Sequence, residues 1–122
     1  STLLDHEMRP ANPIREVLTA GRTPVIRNVE AGCEIRILSS AEAVGSTEVY
    51  DIRFSAGAAL ESDPHEIGTI EHLTVLEGTL TVSSAEETVI AATGDTIRYS
   101  ADVPHAIRAE AAARALLIVQ GP

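Results

Sequence analysis

The sequence contains no lysine, no long apolar run and no internal repeat, and it has one cysteine among 122 residues. The lone Cys33 excludes an internal disulfide, and its place in the alternating run 33–38 predicts a small buried side chain rather than a nucleophile. No stretch approaches the roughly 18 to 20 apolar residues of a membrane helix, and no signal segment opens the chain. These absences predict a soluble, cytoplasmic protein with no membrane partner.

The charge balance is strongly acidic. Nine arginines face 18 acidic residues, so the net charge is −9 when the histidines are neutral. Such a surface disfavours contact with phosphate backbones. The chain is therefore not expected to bind nucleic acid by itself. A length of 122 residues, 44% of them hydrophobic, suits one compact domain rather than two.

Short alternating segments separated by turn residues dominate the chain. Val25–Val29 and Glu34–Leu38 are predicted to pair as a hairpin, and Glu48–Phe54 alternates with its aromatic residues on one face. Residues 55–64 are predicted to be a loop. Roughly nine or ten strands of this kind describe an all-β sandwich or barrel.

Residues 1–23 differ from the rest of the chain because breaker residues surround short apolar patches. They are predicted to be a linker or arm, with one short helical turn after Pro13. Residues 24–122 are predicted to form the domain.

The most informative stretch is residues 65–78. If it is a strand, a bend at Gly68 and a second strand, period-2 alternation puts His65 and Ile67 on one face before the bend. After the bend, Glu71, Leu73 and Val75 lie on one face of the second strand, and this is the face to which His65 points. Two potential ligands then share a face of the predicted sheet.

This stretch resembles the first motif of the cupins, which runs His-x-His, three or four residues, Glu, six residues and Gly. Here Glu71 is followed by six residues and then Gly78. His65 stands at the place of the first histidine of the motif, and Ile67 stands at the place of the second.

The second cupin motif is matched by Gly94, which leads to His105 at the family's spacing. The resemblance implies a single-domain, all-β fold, the cupin-type jelly-roll β-barrel or double-stranded β-helix. It also implies that His65, Glu71 and His105 converge at the mouth of the barrel.

The inward face of such a barrel would be mostly aliphatic. A cavity of this kind favours a small, largely apolar ligand whose few polar atoms meet the three convergent groups or a tyrosine hydroxyl. His72 would face the opposite side and lie outside the site. The predicted ligand-binding residues are Tyr50, Ile52, Phe54, Ile67, Leu73, Tyr99 and Ile107.

Three interpretations of the His65, Glu71 and His105 triad stay open. Two imidazoles and one carboxylate suit a divalent transition metal such as Zn, Fe, Mn or Ni with open positions. Alternatively, the metal was lost with the ligand that Ile67 replaces, and the groups bond to each other or to an organic ligand. The third interpretation is a satisfied polar cluster that only holds the barrel mouth.

A longer set of residues, from about Thr23 to Val119, resembles the cupin sensor half of XRE-type helix-turn-helix transcription regulators. It includes Thr23–Arg27, Glu48–Tyr50 and Pro104-His105. The resemblance implies the effector-binding domain of a homodimeric bacterial regulator, not an enzyme. DNA would be bound only through an N-terminal helix-turn-helix domain that this chain lacks.

Ser1–Leu4 resembles the end of the last helix of that DNA-binding domain, so the chain is expected to be a fragment of a longer protein. The alternative is a stand-alone, metal-dependent cupin enzyme, either a dioxygenase or an isomerase. A further alternative is a domain that mainly dimerises.

Overall fold

A computed structural model of the protein describes residues 12–122, and within them ten strands form two antiparallel sheets. Two 3₁₀ turns, Ala20–Arg22 and Ala41–Ala43, are the helical elements of this part of the chain. None of the helices in the described residues has the length and hydropathy that a membrane crossing requires. The strands are β1 (Val25–Asn28), β2 (Cys33–Ile37), β3 (Thr47–Phe54), β4 (Ala59–Ser62), β5 (Ile70–Glu77), β6 (Thr79–Ser84), β7 (Glu87–Ala92), β8 (Thr96–Ser100), β9 (His105–Arg108) and β10 (Ala113–Gln120).

The two sheets enclose one core, which confirms the predicted all-β class. The larger sheet has the order β1-β2-β3-β10-β5-β8, and the smaller has the order β4-β9-β6-β7. Both sheets contribute to the core, because Ile52 and Leu73 of the larger sheet and Leu80 of the smaller are almost completely buried. Burial of these aliphatic side chains between the sheets is the main driving force for the fold.

Period-2 alternation in β5 positions the site as predicted. Glu71, Leu73 and Val75 are buried on the inner face, whereas His72 lies on the outer face, where its Nε2 is 2.9 Å from Gln120 Oε1. The predicted hairpin is confirmed too, because β1 and β2 pair across the turn that follows Asn28. Cys33 is buried, as predicted, and burial raises the pKa of its thiol.

Two local predictions are wrong. Residues 55–64 are not only a loop, because β4 lies within them and pairs with β9. The segment Ala59–Ser62 has little strand propensity of its own, so its partner strand supplies the conformation. No helical turn follows Pro13; the 3₁₀ turn forms at Ala20–Arg22 instead. Residues 13–19 are all exposed, and an isolated turn without packing partners is unstable. The turn at Ala20–Arg22 is held by the buried Thr23, whose N–H and hydroxyl donate to Thr19 O.

The prediction for Ser1–Leu4 concerns residues outside the described part of the chain, and the boundary between an arm at 1–23 and a domain at 24–122 stays a prediction.

A buried ion pair on the outer face of the larger sheet was not predicted. Asp51 of β3 is 3% exposed and lies between Arg36 of β2 and Arg114 of β10. Arg114 donates to both carboxylate oxygens at 3.0 and 2.9 Å, and Arg36 donates at 3.1 Å. The hydrogen bonds from Arg114 are the main reason why the pKa of Asp51 is lowered.

The β6–β7 hairpin contains a strained residue, Ala85, whose φ of 51° lies in the left-handed region. Ala85→Gly is expected to raise the free energy of unfolding by about 0.5–1 kcal/mol, because glycine adopts positive φ without a Cβ clash. Urea unfolding measures the change. Ala92→Gly at the exposed end of β7 is the control and should lower stability by a similar amount. A lower free energy of unfolding in Ala85→Gly would contradict the claim that the backbone of Ala85 is strained.

Candidate metal centre and cavity

Three potential metal ligands meet where the loop 63–69, strand β5 and the start of β9 come together. Glu71 Oε2 is 3.3 Å from His65 Nε2 and 3.1 Å from His105 Nε2. The three donor atoms lie within 4.8 Å of one another. Glu71 and His105 are buried, whereas the side chain of His65 is 45% exposed. The structure therefore brings together the three residues that the resemblance implied.

His65 reaches the site from a loop rather than from a strand. Its backbone N–H donates to Ala101 O at 2.9 Å, and the Ala101 N–H donates to Thr69 O at 2.9 Å. Asp102 Oδ2 accepts the N–H of Gly68 at 3.0 Å, in a turn where Gly68 has a φ of +94°. The loop that carries His65 is thus tied to the segment that leads into His105.

The strand interpretation of Ile67 is wrong. Thr69 N–H donates to Glu66 O, so residues 66–69 form a turn with Gly68 in its third position. Alternation does not apply in a turn, and the side chain of Ile67 points to solvent with 86% exposure. It therefore does not face the cavity.

The hydrogen bond of His105 Nδ1 determines which ring nitrogen carries the proton. Nδ1 lies 2.8 Å from the carbonyl oxygen of Val103, which can only accept, so Nδ1 carries a hydrogen. In the neutral ring Nε2 then has its lone pair directed at Glu71. A lone pair on Nε2 and a lone pair on the Glu71 carboxylate repel each other, so this contact requires a proton shared by the two atoms or a cation between them.

Tyr99 of β8 supports Glu71 from inside the barrel. Its hydroxyl donates to Glu71 Oε1 at 2.6 Å, and its ring lies 6.2 Å from the ring of His105. Burial, followed by the charge of Glu71, raises the pKa of Tyr99, so its hydroxyl remains protonated at neutral pH. Tyr99 therefore orients the carboxylate and leaves Oε2 for the two histidines.

The donor set fits a divalent metal. Two donor atoms held by one metal at about 2.1 Å lie roughly 3 Å apart in tetrahedral or octahedral sites, close to the 3.1 and 3.3 Å distances here. Two imidazoles and one carboxylate are ligands that Zn, Fe, Mn and Ni accept. Hydrogen bonds have the same length, so the geometry fits the metal-free interpretation equally well.

An open cavity of about 520 Å³ adjoins the triad. Its wall is mainly aliphatic, with one polar pair at the side: Tyr50 donates its hydroxyl to Glu48 Oε1 at 2.6 Å. Burial, with smaller contributions from Glu48 and Glu71, raises the pKa of Tyr50 to about 12. The main aliphatic wall residues are Ile26, Ile35, Val44, Ile52, Leu60, Leu117 and Val119.

Of the predicted ligand-binding residues, Tyr50 and Ile52 line this cavity. Phe54, Leu73 and Ile107 do not; each is at most 2% exposed and belongs to the closed part of the core. Side chains already fill the barrel interior at these positions, so no ligand can reach them. Tyr99 does not line the cavity either; it is buried, and its hydroxyl is bound to Glu71.

Several wall residues were not predicted. Leu117 and Val119 of β10 alternate on the inner face, and each lies opposite residues of both β3 and β5. Residues 115–119 are all apolar, so the sequence showed neither which of them face inward nor their register against β3 and β5. Glu48 was missed, although it lies near the start of β3 and one alternation step before Tyr50, which places both on the same face.

Comparison with known proteins gives a consistent result. Residues 50–119 match the sequence profile of the cupin domain. The HTH-type transcriptional regulator SutR of Escherichia coli K12 is 39% identical over 61 residues, which are 50% of this chain and 34% of SutR.

Two solved structures extend the likeness to three dimensions. An HTH_3 family transcriptional regulator from Vibrio cholerae is 30% identical, with a TM-score of 0.69, and the match covers 75% of this chain and 52% of that one. The Cupin_2 domain of an XRE family transcriptional regulator from Enterobacter cloacae is 26% identical, with a TM-score of 0.68, covering 75% and 98%. Ectoine synthase from P. lautus, at 17% identity and a TM-score of 0.64, shares the fold alone.

The chain thus spans about a third of SutR and about half of the Vibrio cholerae regulator.

Proposed function

Because this chain belongs to the cupin family, we propose that it is the effector-binding domain of a bacterial transcription regulator. The observation that supports this most is the open aliphatic cavity beside three convergent polar groups, in a domain similar to the cupin domain of an XRE family regulator. The effector is a small, largely apolar molecule, and DNA is bound by a separate helix-turn-helix domain. The proposal implies a cytoplasmic homodimer.

The charge distribution supports a separate DNA-binding domain. The net charge is −9, and several arginines are already paired with carboxylates of the same sheet surfaces. Such pairs neutralise the guanidinium groups that would contact phosphates. The paired arginines are Arg27, Arg36, Arg108 and Arg114.

The effector acts by population shift. A ligand that prefers one geometry of the barrel or of the dimer changes the relative position of the two attached DNA-binding domains, and its differential affinity limits the size of the effect. The triad binds the polar atoms of the ligand, either directly or through a metal. A divalent metal held by His65, Glu71 and His105 would supply an electrophilic anchor.

Filling the cavity should abolish the response to the effector. We expect Val119→Trp to fill the cavity over the inner face of β10, whereas Ile118→Trp, one residue away on the outer face, leaves it open. The measurement uses a chimera that joins the helix-turn-helix part of the Vibrio cholerae regulator to this chain. Compounds that stabilise the chain in a thermal-shift screen should change operator affinity of the chimera by about fivefold or more.

In this experiment, the response should be lost in Val119→Trp and kept in Ile118→Trp. An operator affinity that ignores every compound bound in the cavity would contradict the proposal.

The second candidate function is a metal-dependent enzyme, and the exposure of His65 at the cavity is the observation that favours it. In this case a compound bound in the cavity should be converted by the metal-loaded protein. The conversion should stop with a chelator and in His105→Ala. Recovery of every bound compound unchanged would count against the enzyme.

A further inference from the structure

We propose that the cavity selects a ligand with a protonated amine on an aliphatic body, and that Glu48 is the carboxylate that binds the amine. The inference rests on the proposed function, because it specifies the chemical class of the effector. It follows from the positions of the charged groups on the cavity wall.

Glu48 and Glu71 lie in one row across the larger sheet. Val119 of β10 is directly opposite Glu48 of β3 on one side and Glu71 of β5 on the other. Neighbouring strands are about 4.8 Å apart, so the two backbones are roughly 10 Å apart. The aliphatic side chain of Val119 lies between them in this row, and Leu117 lies in the next row, opposite Tyr50 and Leu73. The row therefore has an acidic group at each end and an apolar middle.

The carboxylate of Glu48 has spare capacity to accept hydrogen bonds. Its Oε1 accepts the Tyr50 hydroxyl at 2.6 Å, whereas the contact of Oε2 with the Gly45 N–H is long, at 3.5 Å. Tyr50 stays protonated at neutral pH because burial raises its pKa to about 12. Tyr50 is thus a fixed donor that orients Glu48 and leaves Oε2 free for a ligand donor.

Among residues 12–122, no cationic side chain lines the cavity at the Glu48 end. The ionisable residues of the wall are Glu48, Tyr50, Glu66, Glu71 and His65, and no arginine of this part of the chain contributes to it. The nearby Arg36 is engaged by Asp51 on the outer face. A carboxylate ligand would meet like charge there, whereas an alkylamine, protonated at neutral pH, meets opposite charge.

The test compares three probes of equal length and different charge: n-hexylamine, n-hexanol and n-hexanoate. Calorimetry at low salt gives their affinities, and methyl NMR shifts of Val119 and Leu117 report binding in the cavity. Hexylamine should bind about tenfold more tightly than either other probe. Glu48→Gln, which still accepts the Tyr50 hydroxyl, should remove this preference, and Glu86→Gln in the β6–β7 turn should keep it.

The outcomes separate this inference from the proposed function. Equal binding of hexylamine and hexanol in the cavity, or an unchanged preference in Glu48→Gln, would overturn the amine selectivity and leave an effector cavity for another ligand class. Tighter binding of hexanoate would do the same. If none of the probes shifts the cavity methyl groups, the effector-binding role fails together with the inference.

Discussion

Glu71→Gln is expected to weaken the binding of a divalent transition metal by at least about a hundredfold, because even the loss of an outer hydrogen-bond partner weakens metal sites 10- to 100-fold. Within residues 12–122, Glu71 is the residue whose carboxylate oxygen lies next to both histidines. A glutamine carries no charge and presents one acceptor atom instead of two. Elemental analysis and zinc titration of the purified chain measure the change.

The matched control is His72→Ala, which removes the neighbouring histidine from the outer face and should leave metal affinity unchanged. Metal at a hundredfold excess over the wild-type Kd should stabilise the wild type and this control by about 2.7 kcal/mol, and Glu71→Gln by no more than about 0.4 kcal/mol. Wild-type protein that takes up no Zn, Fe, Mn or Ni would eliminate the metal interpretation. The triad would then act through its own hydrogen bonds.

Asp51→Asn is expected to lower the free energy of unfolding by about 2–3 kcal/mol. The carboxylate accepts hydrogen bonds from Arg36 and Arg114, and an asparagine would turn its NH₂ group toward one guanidinium. The loss stays below that of a fully buried pair because both arginine side chains are a quarter or more exposed. Urea unfolding at neutral pH measures the loss.

The control is Glu34→Gln, which breaks the more exposed pair with Arg27 and should change stability by less than about 1 kcal/mol. Equal effects of the two substitutions would show that burial does not strengthen the Asp51 pair.

The effect of Asp51→Asn on the free energy of unfolding should depend on pH, and the pKa of Asp51 gives the direction. The pKa of Asp51 is lower in the folded state than its ordinary value of 3.8. Its contribution to stability is therefore fully present above that value and is lost as the pH falls through the lower, folded-state pKa. The difference in stability between the wild type and Asp51→Asn should stay constant from neutral pH to about pH 5 and shrink below about pH 4.

Much of the fold could be predicted from the sequence because strand alternation and turn residues act locally. The cupin family, the all-β class and the relation to regulator cupin domains are confirmed. Strand β4 was missed because residues 59–62 form a strand only when β9 pairs with them. Asp51 looked like an ordinary outward residue of β3, since Arg114, which binds both of its carboxylate oxygens, comes from β10, 63 residues away in sequence.

The candidate site was predicted in its polar part and less well in its apolar part. His65, Glu71 and His105 could be identified from motif spacing, which reflects a ligand geometry. The cavity wall could not, because it depends on which inward residues leave space between them. Leu73 and Ile107 are as apolar as Val119, yet the first two lie in filled core and the last lines the cavity.

The central position of β10 has a consequence for the order of folding. This strand is the last of the ten in sequence, yet it joins β3 to β5 in the larger sheet, with eight residues paired to β3. During synthesis, β3 and β5 have no common partner until β10 is made. The larger sheet thus forms after the rest of the domain has been translated, through contacts between distant segments, which are slow to form.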